Sequence, residues 1–282
     1  MKTTSIYKST EGQRAIMGFY DSLLARWPVP NETLNIPTRH GDTFVIASGE
    51  EAAPPMVLLH GSSTNSAMWA GDVVDYSRHF RVYAVDTLGE PGKSAPNRLP
   101  LKSLAYAEWL EDLFAALHID KAVVIGCSQG GWLALRFSTS QPDRVEKLVL
   151  LTPGGVTPVR ASTVLRLIAV SLFGRRGMES INRMVFGDLA IPDEVKEFSA
   201  LIMNHYKPRT DPQPIFTDEE LARLTMPTLL VAGAKDCFYV SEKSTARLQR
   251  LLPRFKATIF PDAGHVLLNT TTHILPFLGV KC

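Results

Sequence analysis

The sequence is poor in cysteine and has no excess of charge of either sign. Its three cysteines, Cys127, Cys237 and Cys282, form no C-x-x-C pair in a chain of 282 residues. An odd number of widely spaced cysteines argues against a disulfide framework and favours a reducing compartment. The 30 basic and 28 acidic residues give a net charge of +2, which supplies no field that would attract a polyanion such as nucleic acid.

Long apolar runs, repeats and low-complexity segments are also lacking. The most hydrophobic stretch, residues 164–173, is interrupted by Arg166 and is much shorter than the roughly 20 residues that cross a bilayer. Residues 1–10 are polar, so that no secretory signal peptide is expected there. These absences predict a cytoplasmic protein with no membrane partner and no nucleic-acid partner, and they leave the oligomeric state open.

Motifs for metals and nucleotides are missing as well. No group of His, Cys or carboxylate residues has ligand spacing, and G-x-G-x-x-G does not occur. Gly92-Lys93-Ser94 imitates part of a phosphate-binding loop, but Thr87 stands where that loop needs its first glycine. Pro91 also removes a backbone donor that a phosphate would use. We therefore expect no metal and no cofactor.

What the sequence does contain is a series of short apolar segments that alternate with helical patterns. Non-alternating runs rich in Val, Ile and Leu are typical of strands buried on both faces. They occupy residues 56–59, 82–85, 122–125, 148–151, 228–231 and 257–260, after a helical pattern at 13–26 and two extended segments at 33–37 and 43–47. This order predicts an α/β fold with a mostly parallel, eight-stranded sheet and helices on both faces.

One long interval breaks the alternation. Between Leu151 and Thr228 the sequence offers helical segments and no convincing strand. We interpret residues 154–225 as a helical cap inserted over the carboxyl edge of the sheet, and residues 1–153 and 226–282 as the core. Because ligand sites are mostly apolar, the apolar cap residues are candidates for a substrate pocket: Leu167, Ile168, Leu172, Phe173, Met178, Met184, Phe186 and Met203.

A candidate nucleophile lies between the predicted strand 122–125 and a helical pattern. The segment Gly126-Cys127-Ser128-Gln129-Gly130 matches G-x-S-x-G in the strand, turn and helix context that a nucleophilic serine needs. The glycines allow a tight turn that holds the serine hydroxyl clear of the sheet. Ser128 is therefore the predicted nucleophile. The adjacent Cys127 is expected to point away and to pack as a small apolar side chain.

Donors for an oxyanion are predicted from two places. Acyl transfer needs the backbone N–H that follows the nucleophile and a second one from the loop after an earlier strand. The first belongs to Gln129, and the second is assigned to Ser62, in the segment His60-Gly61-Ser62 after residues 56–59. His60 is expected to hold this loop by a hydrogen bond rather than to act in catalysis.

The acid and the base are predicted at the ends of the last two strands. Asp236 follows residues 228–231 and His265 follows residues 257–260, so that both lie at the same sheet edge as Ser128. His265 is the predicted general base and Asp236 the carboxylate that orients it. Asp262 is a rival acid that we expect to shape the turn before His265, and Asp86 is expected to anchor a loop.

Taken together, these motifs resemble the α/β-hydrolase superfamily in its capped, single-domain branch. The resemblance covers residues 43–153 and 226–278 and follows the order His60-Gly61, Asp86, Ser128, Asp236, Gly264-His265. It implies a serine hydrolase similar to carboxylesterases, acting on a small-molecule ester. Dehalogenases and epoxide hydrolases carry an aspartate at the position of Ser128, which disfavours both.

Three alternatives remain open at this point. Lactonases and carbon–carbon bond hydrolases share the fold, although ring-cleavage hydrolases usually have Trp after the catalytic histidine, where this chain has Val266. A non-catalytic protein that binds a small molecule is the third alternative, because a fold does not dictate a function.

Overall fold

The fold, seen in a computed structural model, is built on one eight-stranded β-sheet. The structure describes residues 5–171, 180, 183–187, 189 and 191–280, with the backbone alone at 167–171. The strands are β1 (Asn31–Ile36), β2 (Thr43–Ser48), β3 (Pro55–Leu59), β4 (Arg81–Val85), β5 (Ala122–Cys127), β6 (Val145–Leu151), β7 (Thr228–Gly233) and β8 (Phe255–Phe260).

The order of strands across the sheet is β1-β2-β4-β3-β5-β6-β7-β8. Strand β2 is antiparallel to both of its neighbours. The other six strands, β4, β3, β5, β6, β7 and β8 in their order across the sheet, are parallel to one another, and β1 is antiparallel to β2. All carboxyl ends of the parallel strands therefore lie at one edge. The predicted fold class, a mostly parallel sheet of eight strands, is confirmed.

Helices cover both faces of the sheet, as the alternating pattern predicts. In the described residues they are α1 (Thr10–Leu24), α2 (Val73–Tyr76), α3 (Ala105–Ala116), α4 (Gln129–Ser140), α5 (Ala161–Ser171), α6 (Asp193–His205), α7 (Asp218–Leu221), α8 (Ser241–Leu251) and α9 (Thr271–Leu278). One apolar cluster joins the sheet to α3, α4 and α8, and a second joins its other face to α2 and α9. Within the described ranges, no helix combines the length and the apolar character needed to cross a membrane.

Strand β8 departs from the prediction of burial on both faces. It pairs only with β7, and Lys256 and Ala257 are exposed. Residues 258–260 are half-buried, because an edge strand has no neighbour on its outer side. The opposite edge strand, β1, is likewise mostly exposed.

The amino-terminal helix packs against a helix of the predicted cap. Ile16 of α1 and Ile202 of α6 share a buried cluster, and Phe19 stacks on Phe198 with 6.0 Å between ring centroids. Tyr7 and Tyr206 pair through an isolated β-bridge. Residues assigned to the core from sequence thus support the segment assigned to the cap.

The division into core and cap stays a prediction. No strand of the main sheet falls in the described part of residues 154–225, as a cap requires. Its last part nevertheless returns to the core, since Phe216 and Leu221 belong to the main apolar cluster. The Trp132 Nε1–H also donates to the Pro214 carbonyl at 2.9 Å. These contacts attach the end of the segment to α4.

A half-buried carboxyl group beside α2 makes stability depend on pH. Burial and the nearby charge of Asp75 raise the pKa of Asp72 from 3.8 to about 6. Because the folded-state pKa is raised, the stability associated with the protonated form is complete below about pH 4 and is lost as pH rises through about 6.

Asp72→Asn should therefore stabilise the protein at pH 8 and leave it nearly unchanged at pH 4. We expect the melting temperature at pH 8 to rise by about 2–4 °C, since the neutral amide avoids the burial of a charge. Thermal unfolding followed by circular dichroism at both pH values measures this, with Asp143→Asn at an exposed site as the control. An equal shift at both pH values would contradict the explanation.

Candidate active site

The backbone at Ser128 is held in a conformation that is rare for a residue with a side chain. Ser128 has φ +52° and ψ −108°, between the end of β5 and the start of α4. The turn is fixed by three backbone hydrogen bonds: Ser128 N–H donates to Leu151 O at 2.8 Å, and the Ser128 carbonyl accepts from Trp132 and Gly154 at 3.1 Å. Such strain persists where surrounding contacts over-determine it, and functional sites are where it clusters.

Two glycines make this turn possible through close approach of backbones. A Cβ added at Gly126 would overlap the carbonyl of Gly130, and one added at Gly130 would overlap the carbonyl of Leu59 in β3. The missing side chains allow β5, α4 and the end of β3 to meet around Ser128. This is the physical reason for the glycines of the G-x-S-x-G motif.

The structure brings Ser128, His265 and Asp236 within hydrogen-bond distance in a single row. His265 Nε2 lies 3.0 Å from Ser128 Oγ, and His265 Nδ1 lies 3.0 Å from Asp236 Oδ2. Since a carboxylate oxygen accepts, Nδ1 carries the proton and Nε2 is free to accept from the serine hydroxyl. His265 is 8% exposed and Asp236 is 2% exposed, so that the row is shielded from solvent at its acid end.

Asp236 is itself fixed by the loop that follows β7. Its Oδ1 accepts the backbone N–H of Phe238 at 2.7 Å and that of Tyr239 at 3.2 Å. These two bonds leave Oδ2 directed at His265. The rival Asp262 is exposed and pairs with Lys235 at 2.9 Å instead.

Two aromatic residues of the same loop flank the imidazole. The Phe238 ring meets His265 edge to face, with 4.6 Å between centroids, and Tyr239 lies 6.0 Å away. Burial and the charge of Asp236 raise the pKa of Tyr239, which keeps its phenol neutral. Sequence analysis missed both residues, because an aromatic pair after Asp236 gives no signal of its own.

The loop after β3 lies against the nucleophile turn. At Gly61, an added Cβ would stand 3.7 Å from Ser128 Cβ. No acceptor for the N–H of Ser62 or of Gln129 is found among the described residues, which suits groups that must receive a substrate oxygen. Gln129 is the first residue of α4, where backbone donors have no partner within the helix.

The loops around this site are fastened by His60 and Asp86. His60 Nε2 accepts the N–H of Thr87 at 2.9 Å and its Nδ1 lies 2.8 Å from the Gly61 carbonyl, so Nδ1 carries the proton. Asp86 accepts from the Tyr20 hydroxyl, from Ser66 N–H at 2.9 Å and from Lys93 N–H at 2.7 Å. Both residues hold loops, as predicted.

Gly92-Lys93-Ser94 does not act as a phosphate-binding loop, because Asp86 already binds two of its donors. The Lys93 N–H is taken by Asp86, and the Ser94 hydroxyl donates to the Asp86 carbonyl at 2.6 Å. Within the described part of the chain, no group of three His, Cys, Asp or Glu side chains could hold a metal ion.

Cys127, next to the candidate nucleophile, is unsuited to act as a thiolate. It packs against the cluster on the α2 and α9 face of the sheet. Burial raises the pKa of its thiol to about 12. A thiol in this state is neutral at physiological pH, which agrees with a packing role.

Comparisons with known proteins show which family the chain is similar to. Residues 56–273 match the alpha/beta hydrolase family. The chain is 36% identical over 262 residues to an uncharacterized carboxylesterase, nap, of Bacillus subtilis strain 168, with 88% of this chain and 85% of that protein covered. The chain belongs to the α/β-hydrolase family.

Two further relatives of this α/β-hydrolase extend the comparison. Carboxylesterase YbfK of Bacillus subtilis strain 168 is 34% identical over 256 residues, covering 88% of this chain and 86% of that protein. The crystal structure of naproxen esterase from Bacillus subtilis aligns with a TM-score of 0.85 at 31% identity, covering 96% of this chain and 99% of that chain. The predicted family, fold and general function, a serine hydrolase of the esterase type, are confirmed.

Replacement of glycine in the turn should destabilise this hydrolase strongly. In Gly126→Ala the added methyl overlaps the Gly130 backbone, and we expect a loss of about 3 kcal/mol in the free energy of unfolding. Gly18→Ala is the matched control, because Gly18 lies in α1 with no atom within 4 Å of an added Cβ. That variant should gain about 0.5–1 kcal/mol from helix propensity. Urea unfolding curves measure both, and equal stabilities would contradict the close-approach argument.

Proposed function

We propose that this protein hydrolyses a small carboxylic ester through an acyl-enzyme on Ser128, with His265 as general base and Asp236 as its orienting carboxylate. The row of two 3.0 Å contacts, from Ser128 Oγ to His265 and from His265 to Asp236, is the observation that supports it. Nucleophile, base and orienting acid in this order form the arrangement that activates a serine hydroxyl.

The first half of the reaction forms the acyl-enzyme. Ser128 Oγ attacks the ester carbonyl carbon while His265 Nε2 takes the hydroxyl proton. The carbonyl oxygen becomes an oxyanion, which the backbone N–H groups of Ser62 and Gln129 stabilise. Each such donor lowers the barrier by about 3 kcal/mol. When the tetrahedral intermediate collapses, the carbon–oxygen bond to the alcohol breaks and the imidazolium returns its proton to the departing alkoxide.

The second half releases the acid. A water molecule gives a proton to His265 Nε2 and attacks the acyl carbon, and the oxyanion forms again between the same donors. Collapse breaks the bond to Ser128 Oγ, which recovers its proton from His265. The sum is one ester and one water converted into one carboxylic acid and one alcohol, with the enzyme unchanged and no cofactor consumed.

The predicted cap is proposed as the source of the substrate pocket. The Val185 carbonyl accepts the N–H of Val266 at 3.2 Å, which puts this part of the segment beside His265. Met184, Phe186 and Met203 are half-buried apolar side chains available for such a pocket. The other proposed lining residues lie outside the described residues or have undescribed side chains: Leu167, Ile168, Leu172, Phe173 and Met178.

A carboxylic ester is also supported by the relatives, which are named carboxylesterases and a naproxen esterase. Strong similarity over most of the chain favours the same bond type over a lactone or a carbon–carbon bond. The cytoplasmic location stays a prediction.

Ser128→Ala should abolish ester hydrolysis. We expect kcat for p-nitrophenyl acetate to fall by about 10⁵-fold or more, and covalent labelling by a fluorophosphonate to disappear, because both need the serine oxygen. Cys127→Ala is the control and should keep both, since the neutral thiol packs away from the reaction. If wild type neither turned over nor labelled, a binding function would replace this proposal.

A comparison of Asp236→Asn with Asp262→Asn should show which of the two carboxylates orients His265. The amide disturbs the tautomer and the charge that His265 needs, and we expect kcat to fall by about 10⁴-fold. Asp262→Asn makes the same chemical change at an exposed carboxylate and should keep kcat within about twofold. Ester hydrolysis by both purified variants gives the comparison, and similar losses would remove Asp236 from its assigned role.

A further inference from the structure

A second buried carboxylate, Glu90, lies close to the site and has no part in the reaction described above. It stands in the loop after β4 and is 2% exposed. Burial of a carboxylate is costly unless hydrogen-bond donors pair with its oxygens. The donors that pair with Glu90 therefore indicate which parts of the chain it holds together.

Three donors from three distant parts of the chain converge on Glu90. Its Oε2 accepts the backbone N–H of Ser63 at 2.7 Å and lies 3.0 Å from the Tyr206 hydroxyl. Its Oε1 accepts the side-chain amide of Gln129 at 2.8 Å. The carboxylate therefore connects the loop after β3, the start of α4 and the segment that follows α6.

Two of these donors adjoin the groups proposed to stabilise the oxyanion. Gln129 supplies one backbone N–H to that site, and Ser63 directly follows Ser62, which supplies the other. Ser63 itself has φ +59°, a conformation that needs external support in a residue with a side chain. Glu90 gives that support through the Ser63 N–H.

The third donor is fixed in its turn by a cation. Arg98 Nη2 donates to the Tyr206 hydroxyl at 2.9 Å, and the guanidinium lies 5.4 Å from the centre of the Tyr206 ring. Arg98 Nε also donates to the Gly89 carbonyl at 3.3 Å. The positive charge of Arg98 offsets the negative charge of the Glu90 carboxylate. This matters because the oxyanion is proposed to form close to Glu90.

We propose that Glu90 is a positioning residue that sets the spacing between the two oxyanion donors by holding Ser63 and Gln129 at once. This inference rests on the proposed ester hydrolysis. Since a misplacement of about 1 Å at such a site can cost about 100-fold in rate, the carboxylate acts on the transition state more than on substrate binding. A loss of this contact should therefore appear in kcat rather than in KM.

The test compares single and double variants with p-nitrophenyl acetate. Glu90→Ala should lower kcat by about 100-fold, and Gln129→Met, which keeps the length of the side chain without its amide, by about 10-fold. KM should stay within about threefold of wild type in each. The double variant should lose about 100-fold and not about 1,000-fold, because both changes remove the same contact.

Glu220 offers a matched control. It also joins α4 to a backbone donor elsewhere, with Oε1 3.0 Å from Arg136 Nη1 and Oε2 accepting the Thr217 N–H at 2.8 Å. Glu220→Ala should lower the melting temperature and leave kcat within about twofold, because its partners are remote from the oxyanion donors. An equal fall in kcat for Glu220→Ala would identify the Glu90 effect as a general loss of stability.

Smaller losses in kcat than these, a change confined to KM, or losses that multiply in the double variant would overturn the proposal. Should Glu90→Ala fail to fold, Gln129→Met alone decides the matter through its expected fall of about 10-fold in kcat with KM within about threefold of wild type. An inert wild type would remove the proposed ester hydrolysis and this inference with it. An active wild type with unaffected variants would remove this inference alone.

Discussion

The left-handed backbone at Ser128 is the constraint on which the rest of the site depends. A residue in this conformation costs about 1–3 kcal/mol, which the surrounding structure must offset. Here the offset comes from backbone hydrogen bonds to Leu151, Trp132 and Gly154, and from the contact of Gly126 with Gly130. The result is a hydroxyl that stands at the sheet edge, 3.0 Å from His265, beside the first backbone N–H groups of α4.

Parallel strands explain why residues from distant parts of the chain reach that hydroxyl. The loops after β3, β4, β5, β7 and β8 all leave the same edge. Four of them carry the groups proposed to act on the substrate, and the loop after β4 carries residues that support them. A second layer of hydrogen bonds then fixes these loops to one another. His60 holds the loop after β4, Asp86 holds the loop after β3, and Glu90 holds both to α4. The groups proposed to react are thus supported by buried polar contacts that have no part in the proposed bond breaking.

Tyr206 connects this second layer to the amino-terminal helix and to α6. Its ring belongs to the cluster of Tyr7, Ile16 and Ile202, and its hydroxyl meets Glu90. Burial and the charge of Glu90 raise the pKa of this phenol, so that it remains a neutral donor. The packing of α1 on α6 and the position of the loop after β3 are therefore linked through one side chain.

The sequence by itself determined the class of fold, the positions of the strands along the chain and the candidate nucleophile, base and acid. These features follow from local patterns: apolar runs set the strands, glycines set the turn, and polar residues after strands fall at one edge. Tertiary structure alone decided which carboxylate faces His265, since Asp236 and Asp262 both follow strands and only the backbone donors of Phe238 and Tyr239 orient one of them. It also decided the exposure of β8, the partner of α1 and the contacts of Glu90. Each of these depends on contacts between residues far apart in the chain, and local sequence patterns do not predict such contacts.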